Sequence, residues 1–161
     1  MAQISPKCSE LFETLKKSEA TFCKVLDTGI WVVGGKNHDN EHKSRTHFQP
    51  NDGNKVRGPD MPFTICYHSM VQYDEKSIYI IGGFQNGWRT NKTWIVDLTN
   101  GFQIKEGPSL NVGRTGHGCA KMTINGKTIL VVAGGIGDDF KPLDSVEILD
   151  PAENNIWAPG L

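Results

Sequence analysis

An apolar run that ends in Gly-Gly occurs three times along the 161 residues. "GIWVVGG" closes at Gly34-Gly35, "SIYIIGG" at Gly82-Gly83 and "TILVVAGG" at Gly134-Gly135, so the spacings are 48 and 52 residues. A recurrence of this period marks one supersecondary unit repeated along the chain, and it constrains the fold more than any bulk property. Behind each doublet roughly ten polar residues lead to another strand-like run: "RTHFQP", "KTWIVDLT" and "DSVEILDP". A further aromatic position follows the last two, Phe102 in "NGFQIKEGP" and Trp157 in "NNIWAPG"; the first copy has only "NKVRGP" there.

The runs differ in periodicity. Ile129 to Val132 are apolar at every position, which predicts a strand covered on both faces. Ser145-Val146-Glu147-Ile148 alternates, which predicts a half-buried strand nearer a rim. The glycines allow positive φ and close approach of neighbouring backbone, a structural need. A phosphate-binding turn is the competing explanation, and its spelling fails. Gly135-Ile136-Gly137 lacks the third glycine, which would fall at Phe140, and Pro142 with "DSVEILD" occupies the place of the required helix.

Taken together, the strand ending in Gly-Gly, the "VEILDP" run, Trp157 and the "RTGHGCA" segment at Arg114 to Ala120 resemble the kelch repeat. The resemblance covers roughly residues 22 to 161. It implies an all-β kelch-type β-propeller, with about three four-stranded antiparallel blades over residues 21–62, 63–112 and 113–161. First strands are expected near 22–26, 66–73 and 117–124, with second strands ending at each Gly-Gly. Closed propellers use four to eight blades. The expectation is therefore an incomplete ring, a piece of a longer propeller, whose exposed blade faces and edges promote self-association. Residues 1–20 read either as a short amphipathic helix, with Leu11, Phe12 and Leu15 on one face, or as an outer strand of a preceding blade at "LFETL".

Seventeen basic against eighteen acidic residues imply neither nucleic acid nor an anionic membrane as partner. No apolar run approaches the roughly 18 to 20 residues of a membrane span, and the first residues carry no apolar signal core, so a cytoplasmic location is expected. Cys8, Cys23, Cys66 and Cys119 are scattered and read as reduced thiols. Asn91-Lys92-Thr93 spells a glycosylation acceptor, read as coincidental in such a chain. His38, His42 and His47 with Asp39 and Glu41 could in principle ligate a metal, but loop spacing fixes no geometry and a solvated loop is preferred. His68 and His117 read as structural histidines between blades. No nucleophile or metal-protease motif appears, so neither enzymatic activity nor a cofactor is expected.

Kelch propellers mostly bind a peptide segment of a protein partner through loops on one face, and many serve as substrate adaptors of cullin-type ubiquitin ligases. Others bind actin, act as scaffolds or carry enzymes, and these remain the alternatives. In the family, the first and third residues after Gly-Gly and the residue after the arginine of "R-x-G" often face the pocket. The resemblance carries this role to Lys36, His38, Phe84, Asn86, Ile136, Asp138 and Thr115. The second copy departs from the pattern, with Ile65 where Arg114 stands. Trp88 and Arg89 join the set because an aromatic anchor beside polar groups suits a binding hot spot.

Overall fold

The computed structural model describes residues 21–25, 28–36, 41, 43–51 and 55–160, and the amphipathic or strand-like segment at 1–20 lies outside them. The described residues contain no helix. They form fifteen strands: β1 Thr21–Val25, β2 Gly29–Val33, β3 Thr46–Pro50, β4 Val56–Arg57, β5 Ile65–Cys66, β6 Ser69–Gln72, β7 Ser77–Ile81, β8 Phe84–Gln85, β9 Trp88–Arg89, β10 Thr93–Asp97, β11 Gln103–Glu106, β12 Gly118–Ile124, β13 Lys127–Ala133, β14 Val146–Leu149 and β15 Trp157–Pro159.

Three four-stranded antiparallel sheets follow chain order, β1-β2-β3-β4, β6-β7-β10-β11 and β12-β13-β14-β15. Each places a Gly-Gly directly after its second strand, as the recurrence requires. A fourth sheet, β5-β8-β9, was not anticipated. It forms because Asn86 and Gly87 both take positive φ, 51° and 84°, which is the backbone of a two-residue hairpin turn whose twist matches the flanking strands. That hairpin folds β8 back so that it pairs Cys66 with Phe84 and Ile65 with Gln85.

Side-chain alternation sorts the sheets against one another. Trp31 and Val33 of the first sheet meet Met70, Ile78, Ile80 and Val96 of the second in one core, which also takes in Met61, Phe63 and Ile65. The opposite face of the second sheet, Tyr79 and Ile81, meets Leu130, Val132, Leu149 and Trp157 of the third. Full burial of such a side chain is worth about 1.5–3 kcal/mol, so these two interfaces dominate stability. First strands stand side by side, β6 lying against both β1 and β12.

Expectation and structure part at the third sheet. Ile129 and Val131, expected to be covered, are only half-buried, because nothing among the described residues packs on the face that carries them. By register this face also holds Ala120, Met122, Ile124, Ala133, Val146, Ile148 and Ala158. Met122 and Ile124 are 46% and 48% exposed.

The glycine pairs key each sheet to the next. Gly35 N–H donates to the carbonyl of Ile65 and Gly83 N–H to that of Arg114, both at 2.8 Å. A Cβ on Gly83 would lie 2.6 Å from the Cys66 carbonyl oxygen and 2.8 Å from the His68 amide nitrogen, so no side chain fits. No described residue accepts from the amide of Gly135.

Candidate functional site

The loops that leave the Gly-Gly pairs gather along the ends of the second strands, and their side chains interlock across repeats. Lys36 Nζ sits 4.7 Å over the ring of Tyr67 and donates to its hydroxyl at 3.3 Å. Tyr67 meets Phe84 edge to face at 6.2 Å. Arg89 then lies between two aromatic rings, its guanidinium 5.4 Å from Phe84 and 4.8 Å from Phe140. Asp138 is 3.9 Å from Arg89 Nη1. The run Lys36, Tyr67, Phe84, Arg89, Phe140 and Asp138 thus crosses all three repeats, with two cations set among three rings and a carboxylate at its end. Stacked guanidinium and ammonium groups of this kind gain about 0.5–1 kcal/mol each when exposed, more when a ligand excludes water.

Local geometry explains the order of the run. The tight hairpin turn aims Trp88 outward, 79% exposed, and turns the neighbouring Arg89 inward, as alternation along β9 demands. Phe140, 78% exposed, has φ +60°. Tyr67 has φ +53°, and the matching position of the next repeat is Gly116 at φ +64°. A tyrosine held in the left-handed region costs about 1–2 kcal/mol, which glycine at that place avoids.

The residues singled out from sequence divide. Lys36, Phe84, Trp88, Arg89 and Asp138 come together on this surface, and Ile136 stands exposed beside them, its backbone bridged to Thr115. Asn86 is exposed but its side chain is engaged: its Oδ1 accepts from the amide of Thr64 at 3.1 Å and ties the hairpin to the preceding segment. Thr115 is buried, its hydroxyl donating to the Tyr67 carbonyl. His38 lies outside the described residues, as do His42 and Asp39 of the same polar segment. Sequence reasoning missed Tyr67, hidden in the strand-like "TICYHS"; its alignment with Gly116 of "RTGHG" was the available signal.

Beneath this surface the arginine of "RTGHG" is wholly buried. Arg114 donates to the carbonyls of Gly134 and Ser145, to Ser145 Oγ and to Glu147 Oε1 at 2.9 Å. Glu147 also accepts from the amides of Asn111 and Val112 and from Asn111 Nδ2. Both Glu147 oxygens and both terminal nitrogens of Arg114 are satisfied, leaving Arg114 Nε as the one atom of this buried ion pair unpaired among the described residues; removing one partner costs about 3–5 kcal/mol. In the second repeat the corresponding places hold Ile65 of β5 and Trp94 of β10, both part of or packed against one apolar core.

The two histidines that open the first strands lie inside. His117 Nε2 shares a 2.7 Å hydrogen bond with Ser69 Oγ of the neighbouring sheet. Burial, then the charge of Arg114, holds its pKa down at about 4. His68 is held at about 3 by burial and by His117.

No family model matches the chain. Over 101 residues it is 29% identical to Spermatocyte protein spe-26 of Caenorhabditis elegans, a match that takes in 61% of this chain and 18% of that protein. The chain therefore spans less than a fifth of the length of the curated relative it matches. For the described residues, no helix is long and apolar enough to cross a membrane. Neither Cys66 nor Cys119 is in a disulfide. Asn91 of the glycosylation spelling spends its amide on the Leu110 carbonyl at 3.0 Å, a structural use.

Proposed function

We propose that the chain is a kelch-type protein-interaction module, an arc of three propeller blades that binds a peptide segment of a partner through the loops behind the Gly-Gly pairs. Three sheets of one strand order, set first strand beside first strand, support the propeller reading. The observation that carries the binding reading is Arg89, which is stacked between Phe84 and Phe140 with the exposed Trp88 beside it. Aromatic and arginine groups held rigid on strands before a ligand arrives supply contact area at low entropic cost, as binding hot spots do. Lys36 offers a cation for a peptide carboxylate and the largely buried Arg89 holds the rings in place, while Trp88 and Phe140 offer faces for an apolar side chain. In a longer relative such a module would recognise substrate for a cullin-type ubiquitin ligase.

Peptide display on the purified protein tests this. Selected peptides are expected to lose about tenfold or more in affinity on Arg89→Ala or Trp88→Ala, a change of about 1.4 kcal/mol or greater, and nothing on Glu153→Ala, a rim residue paired with Lys127. Peptides that bind both loop variants unchanged and lose affinity on Glu153→Ala would place the site on the rim.

A further inference from the structure

The first sheet carries a cluster of basic side chains unlike the loop surface. His47 is paired with Arg57 across β3 and β4, while Phe48 is paired with Val56. Alternation sends Phe48 to the core with Trp31, so Arg45, His47, Lys55 and Arg57 fall on the opposite face. With Thr46 they line a cavity of about 310 Å³, and among the described residues no carboxylate stands in its wall. Arg57 holds Asp60 at 2.6 Å, but neither Arg45 nor Lys55 has an ion-pair partner among the described residues. His47 Nε2 is buried and makes no hydrogen bond.

Comparison between repeats gives the missing partner a sign. His47 stands opposite Val32 in the register, the place that Glu147 occupies opposite Val132. In the third sheet the carboxylate at this place receives a buried guanidinium. In the first sheet the place is imidazole, ringed by three cations, so its complement is an anion. A monocarboxylate would balance one of these charges and fill little of the space. The cavity has room on the order of ten water volumes, enough for a dianion and the group that bears it.

We propose that the cavity of Arg45, His47, Lys55 and Arg57 binds a phosphate monoester presented by a phosphorylated peptide. Guanidinium forks and a lysine around one phosphate are the usual means of holding such a group. Burial and the charge of Lys55 keep the imidazole of His47 down at about 4, and a bound dianion would draw that value up. The site is separate from the loops behind Gly-Gly and does not depend on the reading of those loops.

The test is a nuclear magnetic resonance titration of the full chain, read at the His47 ring, with a phosphoserine peptide, its unphosphorylated form and inorganic phosphate at constant ionic strength. A saturable shift toward the protonated imidazole is expected, about tenfold tighter for the phosphopeptide than for either other probe and weakened about tenfold or more by Lys55→Glu or Arg45→Glu. Both substitutions lie on exposed side chains and leave the cores untouched. No saturation, or an equal response to the unphosphorylated peptide, overturns the proposal. So does inorganic phosphate binding as tightly as the phosphopeptide, since the cavity would then be an ion site only.

Discussion

Tyr67 carries a cost that its neighbours do not. Its φ of +53° is one that glycine adopts freely, and Gly116 holds the matching place at φ +64°. Tyr67→Gly is expected to raise the melting temperature, by the few degrees that about 1 kcal/mol gives in a chain of this size, while weakening peptides selected on the loop surface. Loss of stability would instead mean that the ring's contacts with Lys36 and Phe84 outweigh the strain. Like His68 and His47, whose values are also lowered, His117 contributes to the response to acid. Its folded pKa of about 4 lies below the ordinary 6.5, so the unfolded chain binds the extra proton in that window. Stability is then fully present above about pH 6.5 and is lost as pH falls toward 4; two and a half units correspond to roughly 3 kcal/mol from this group. Thermal melts between pH 7 and 4 check it, and His117→Gln, which cannot titrate, is expected to lessen the slope there, the remainder coming from His68 and His47.

At the scale of elements, the two glycines of the second repeat separate conformation from space. Gly87 has φ +84° with nothing within 4 Å of a notional Cβ, so Gly87→Ala is expected to cost about 1 kcal/mol and keep the fold. Gly83 has φ +94° and would drive a Cβ into the Cys66 carbonyl and the His68 backbone, so Gly83→Ala is expected to prevent the second sheet from forming. Circular dichroism and melting curves of the two variants distinguish the cases. This contrast also shows what sequence could reveal. The second strands were legible because an unbroken apolar run stops at Gly-Gly, and the "VEILDP" strand because its apolar residues alternate. The β5-β8-β9 sheet was not, since its strands are two residues long and carry too little pattern. The partnership of Arg114 with Glu147 was hidden because it joins residues 33 apart whose meeting depends on register. Within the loops, composition pointed to Trp88 and Arg89 but could not show that Asn86 spends its side chain on the Thr64 amide while Arg89 stacks between Phe84 and Phe140.

The molecule as a whole is unequal at its two ends. Beyond the third sheet lies a face of Ala120, Met122, Ile124, Ile129, Val131, Ile148 and their neighbours with no described residue packed on it. An open apolar face of this kind drives association. Met122→Lys with Ile124→Lys is expected to lower the association seen by light scattering at high concentration while leaving the melting temperature within a few degrees, because both side chains are already exposed. A large fall in melting temperature would mean that the face is covered in solution. The keying of sheet to sheet through one glycine amide apiece has a kinetic corollary. Because each sheet touches only its neighbours in chain order, resistance to opening is a sum of nearest-neighbour terms and the array frays from its uncovered end. Two equivalent glycine amides then become a built-in gauge of that fraying: in deuterium oxide the amide of Gly83, locked between the second and third sheets, is expected to persist, while that of Gly135, with no acceptor among the described residues, exchanges first.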